Sequence, residues 1–143
     1  MTTIKTRRFT LLLLCTLTSP LSLASEADLS CPDTPNCVSS QATGDQYIAP
    51  LVAPESTSKS NTPEIKQTLI DILSRWPRTE VTSNKNNIIT AVISSRWMGF
   101  KDDLVLVVNN DESVDVRSSS RTGHYDFGVN RERVEELRGD LTR

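Results

Sequence analysis

An α+β fold, with an antiparallel sheet of about four strands packed against two helices as a two-layer sandwich, is what this sequence predicts. Three observations carry that expectation. Ile65, Leu69, Ile72, Leu73 and Trp76 recur at helical spacing between Pro63 and Pro77. Four runs rich in strand-forming residues follow, joined by connections too short for parallel crossovers. Beyond Gly123 and Gly128 comes a second apolar stripe, Val134, Leu137 and Leu141.

Taken in order, residues 1–24 predict a secretory signal. Lys5, Arg7 and Arg8 precede an apolar run from Phe9 to Leu17, and Ser22-Leu23-Ala24 puts small residues where a signal peptidase reads. Cleavage after Ala24 is expected, giving a periplasmic or secreted protein. A membrane span needs about 20 apolar residues, and this run is broken by Thr, Ser and Pro. A lipoprotein cut at Cys15 is the lesser alternative, because it leaves only Phe9–Leu14 as apolar core and sets the bulky Leu14 before the cut. Loss of these 24 residues leaves 119, with a net charge of −5 in place of −2.

Residues 25–61 form a cysteine-bearing segment and loop. Cys31 and Cys37 are the pair that remains in the exported chain, and a disulfide is the expected reading in an oxidising compartment. Its short loop would contribute about 2.4 kcal/mol in the chain-entropy picture, less whatever Pro32 and Pro35 already restrict. Free or redox-active thiols remain open, without C-x-x-C spacing to favour them. No metal is expected, since two thiols and one distant histidine fall short of four ligands. Ala53–Asn61 reads as a solvated loop.

The core is expected over 62–143. Thr62-Pro63-Glu64 supplies an N-cap, a first-turn proline and a first-turn carboxylate for the first helix, and Pro77 ends it. Thr79–Ser83 and Asn87–Trp97 read as strands about the turn Asn84-Lys85-Asn86. Asp103–Val108 reads as a strand at the sheet centre or covered on both faces. Ser113–Ser119 alternates, with Val114 and Val116 on one face and Asp115, Arg117 and Ser119 on the other. Asn130 is the expected cap of the last helix.

With 36% hydrophobic and 24% charged residues, the chain is neither a multi-spanning membrane protein nor a fibrous repeat nor wholly disordered. The slight negative charge offers no global field for nucleic acid, and no integral span is expected in the mature chain.

Cys-Pro-Asp-Thr-Pro-Asn-Cys-Val-Ser-Ser from Cys31, Phe-Lys-Asp-Asp from Phe100, and Ser-Arg-Thr-Gly-His-Tyr-Asp-Phe-Gly-Val-Asn-Arg from Ser120 occur in that order. Together they resemble the Domain of Unknown Function 1499 family of bacteria and plants, over about Cys31 to Arg138. The resemblance carries no activity and no catalytic residues over to this chain.

The chemically dense stretches suggest an anion site. Arg96, Arg117, Arg121 and Arg131 offer bidentate donors for carboxylate or phosphate, and Asn130 flanks a helix start whose N–H groups favour an anion. The structural alternative is that Asp102, Asp103 and Asp126 pair with these arginines. A hydrolase could be assembled from Ser118, Ser119 or Ser120 with His124 and Asp126, or from Asp102 and Asp103 as acid and base. No Gly-x-Ser-x-Gly turn presents a serine, so no catalytic residue is assigned. The spacing of Gly123 and Gly128 lacks the Lys-Ser/Thr of a phosphate loop, and no cofactor is expected. A third reading makes Trp97, Met98 and Phe100 anchors for a protein partner. The sequence therefore points to a non-catalytic binding or supporting module, whose partner is an envelope component or a small anionic ligand.

Overall fold

Two helices cover one face of a six-stranded antiparallel sheet in the computed structural model, which describes residues 27–53 and 62–143. The elements are β1 (Cys37–Ser39), β2 (Leu51–Val52), α1 (Thr62–Arg75), β3 (Thr79–Ser83), β4 (Ile88–Ser94), β5 (Lys101–Val108), β6 (Ser113–Ser120) and α2 (Val129–Leu141). The order across the sheet is β1-β6-β5-β4-β3, and β2 lies beside β1 along the other half of β6. The α+β class and the helices on one face are as predicted. The strand count is six rather than four, because residues between Cys37 and Val52 add two strands too short to show a period of their own.

The helical stripes meet the sheet's inner face. Ile65, Leu69, Ile72 and Leu73 of α1 and Val134, Leu137 and Leu141 of α2 are buried against Ile89, Leu104, Leu106, Val114 and Val116. β5 is the central strand, and its buried and half-buried residues alternate, so only its inner face is covered by helices. Trp76 joins the two helices by donating from Nε1 to Asp140, 2.9 Å away.

Three boundaries move, each for a local reason. β4 stops at Ser94, so Arg96 and Trp97 lie in a tight turn rather than on a strand. Ser95 and Phe100 close that turn by a backbone hydrogen bond of 2.8 Å, and Gly99 takes the positive φ of 66° that the reversal needs. β5 accordingly begins at Lys101. α2 begins at Val129, so Asn130 sits inside its first turn. Asp126 does the capping, accepting from the N–H groups of Gly128 at 3.0 Å and Asn130 at 2.9 Å.

Cys31 and Cys37 are joined in a disulfide with Cα atoms 5.7 Å apart. It anchors the start of β1 to the segment preceding it. The expected signal segment, its cleavage after Ala24 and the alternative at Cys15 lie outside the described residues, as does most of the expected 53–61 loop.

Candidate functional site

Three neighbourhoods arise where β6 meets its surroundings. On the inner face, at the start of α2, a polar network is sealed under the helix. Arg133 reaches down one turn from Asn130 and donates to Asp102 at 2.6 Å, to Asn130 Oδ1 at 2.6 Å and to Ser118 at 3.0 Å. Ser118 in turn donates to Asn130 at 2.7 Å. The Asn130 amide donates to the Asn36 carbonyl and to Ser120, both at 3.0 Å, and to Asp126 at 2.8 Å. Asn36 closes the loop above by donating to the Gly123 carbonyl at 2.6 Å. Burial acts to raise the Asp126 pKa, but the N–H groups of Asn130 and Gly128 and the Asn130 amide outweigh it and hold the carboxyl below its ordinary value.

The outer face of the same sheet carries no helix. A cavity of about 530 Å3 lies there, with Arg117 of β6, Lys85 of the β3–β4 turn, Asp28, Thr90 and Val105 among its lining. Arg117 Nε is buried and has no acceptor among the described residues. Asp28, hydrogen-bonded by the hydroxyl and N–H of Ser30, acts on Arg117 only through space; the two Ser30 bonds are what chiefly hold its carboxyl low. Asp103, also on the cavity wall, is taken up by Arg121 in a fork with contacts of 2.7 Å and 2.9 Å. Those hydrogen bonds, and the attraction of the two charges, raise the Arg121 pKa.

The third neighbourhood is at the sheet end, where the β4–β5 turn faces the β6–α2 connection. A cleft of about 530 Å3 opens between them, lined by Trp97, Met98, Phe100, Tyr125, Phe127 and Val129, with Asp102, Ser120 and Asp126 also contributing. Tyr125 and Phe127 meet edge to face with ring centres 5.2 Å apart, and the Arg96 guanidinium lies 5.0 Å from the Trp97 ring centre.

The five residues expected to bind an anion are therefore dispersed. Arg117 faces the outer cavity and Arg121 stands at its edge, bound to Asp103. Arg96 is in the turn over Trp97. Arg131 donates to the carbonyls of Asp45 at 2.7 Å and Tyr47 at 2.9 Å, which ties α2 to the β1–β2 connection. Asn130 is fully buried inside the polar network. The alternation of β6 keeps Arg117 and Ser119 outward and turns Ser118 and Ser120 inward, toward Asn130.

The pairing alternative holds for Asp103 with Arg121. Asp102 pairs with Arg133 instead, and Asp126 with backbone N–H groups and Asn130. The serine–histidine arrangement is not assembled, because Ser118 and Ser120 are bound to Asn130, Ser119 points to the outer face, and the exposed His124 is hydrogen-bonded to none of the three. Among the described residues, no group of three or more His, Cys, Asp or Glu side chains could hold a metal ion. Arg133 escaped the sequence reading, although its position three residues after Asn130 places both on one helix face. Lys85 and Asp28 carried no local signal; only the folded sheet brings them beside Arg117.

A family model described as "Protein of unknown function (DUF1499)" matches residues 29–141. No curated protein and no solved structure matches the chain.

Proposed function

This chain belongs to the DUF1499 family, and from that premise we propose that it is an exported, non-catalytic binding module of the cell envelope whose ligand is a small anionic molecule held on Arg117. The observation that carries the reading is Arg117, a half-buried residue that lines a cavity of about 530 Å3 and whose buried Nε has no acceptor among the described residues. A guanidinium lining a cavity is a charge-assisted, bidentate donor for a carboxylate or phosphate oxygen. The volume suits a small molecule. Lys85 adds a second cation, so that Arg117 and Lys85 face the single carboxylate of Asp28, Arg121 already neutralises Asp103, and Val105 and Ile88 offer apolar wall. The ligand class is thus a carboxylate- or phosphate-bearing molecule with an apolar portion.

Thermal unfolding in inorganic phosphate and in citrate tests this. A ligand at ten times its dissociation constant adds about 1.4 kcal/mol of stability. The parent and an Arg75→Gln charge control are expected to gain it, and Arg117→Gln to lose it. Equal gains in all three would overturn the assignment. Amino-terminal sequencing of the exported protein is expected to begin at Ser25; an intact Met1 would overturn export by a cleaved signal.

A further inference from the structure

We propose that the β4–β5 turn and the β6–α2 connection form a membrane-contact face that seats on anionic phospholipid headgroups. This inference is independent of the Arg117 cavity and concerns the other cleft. Trp97 is 86% exposed, Phe127 84% and Met98 71%, and Phe100, Tyr125 and Val129 are exposed beside them. A soluble domain scatters single apolar residues over its surface; a contiguous group of this size marks a contact. Sheet register brings the two loops together, because the Ser94–Lys101 and Asp102–Ser120 pairs put both at one end of the sheet.

The chemistry of the rim favours headgroups over a protein partner. Trp and Tyr combine an apolar body with a polar tip and settle at the level of lipid headgroups. Arg96 and Lys101 stand at the edge of the patch, and neither forms an ion pair among the described residues. Of the carboxylates close by, Asp102 is paired with Arg133 and Asp103 with Arg121, and Asp126 is hydrogen-bonded by the first N–H groups of α2. Arg96 and Lys101 thus stand on the β4–β5 side of the patch, where an anionic headgroup can meet them, while Asp126 and Glu132 lie on its α2 side. No helix among the described residues is long and apolar enough to cross a membrane, so the contact is one of the interface, made by loop tips.

Co-sedimentation of the exported chain, beginning at Ser25, with phosphatidylcholine vesicles, with and without phosphatidylglycerol, tests the proposal, together with quenching of tryptophan emission by brominated acyl chains. The parent is expected to partition onto the phosphatidylglycerol vesicles, with Trp97 emission shifted to the blue and quenched. The double variant Trp97→Ser/Phe127→Ser is expected to keep the parent's melting temperature and to partition about tenfold less or lower. Arg96→Gln/Lys101→Gln is expected to lose the preference for phosphatidylglycerol. Absence of partition by the parent, or equal partition by the aromatic double variant, would overturn the proposal. In the second case, any vesicle binding would belong to another part of the chain.

Discussion

Arg117 and Arg133 lie against opposite faces of one strand, and their surroundings differ in every respect that matters. Arg133, nearly buried, finds Asp102, Asn130 and Ser118 within hydrogen-bond distance, and each of these is engaged in turn. Arg117, half-buried, finds no hydrogen-bond acceptor among the described residues and lines a cavity. A polar group whose partners all lie within the protein serves the fold, because its removal strands those partners. One left without partners at the edge of a cavity is placed for something from outside.

The hardest test of this contrast is Arg133→Ala. It leaves the Asp102 carboxylate buried with no cation, a loss expected to reach about 3–5 kcal/mol in chemical denaturation. Pairing it with Asp102→Leu should recover much of that, because the buried charge is then gone. A cost below about 1 kcal/mol for the single variant would erase the distinction between the faces.

Acid should act on the inner face next. The folded-state pKa of Asp126 lies below the ordinary value of 3.8, so its contribution is fully present above that value and is lost as pH falls through the lower, folded one. Denaturation midpoints measured downward from about pH 5 should fall in the parent and fall less steeply in Asp126→Asn, which is weaker at neutral pH. The smallest effect belongs to Arg117→Gln without added anion. Its stability should stay within about 0.5 kcal/mol of the parent, since no protein partner is stranded. A loss as large as that of Arg133→Ala would make Arg117 a structural residue after all.

Much of the fold was legible because it is periodic. The apolar stripes of α1 and α2 and the alternation of β6 repeat often enough to be read locally. β1 and β2 were not, since three and two residues show no period and their strand character comes from β6. The site was legible in its residue types but not in its grouping. Arg117, Arg121, Asn130 and Arg131 are close in sequence, yet only the first two lie at the outer cavity, while helix rotation buries Asn130 and turns Arg131 to the β1–β2 connection. Arg133 and Lys85 matter through contacts made across the fold, which single-sequence periodicity does not encode. Gly128 and Asp126, rather than Asn130, start α2 because the cap is set by the loop's backbone path.

The pairing of β1 with β6 also sets an order of events during folding. Cys37 lies opposite Ser119, so β1, the first strand among the described residues, must wait for β6, the last, before it has a strand partner. Closing so long a loop is entropically slow, whereas Cys31 and Cys37, six positions apart, meet almost at once. A chain synthesised from its amino terminus therefore presents both cysteines of the loop while the edge of β6 is still to come. Assembly of the sheet is completed only when the carboxy-terminal third has arrived.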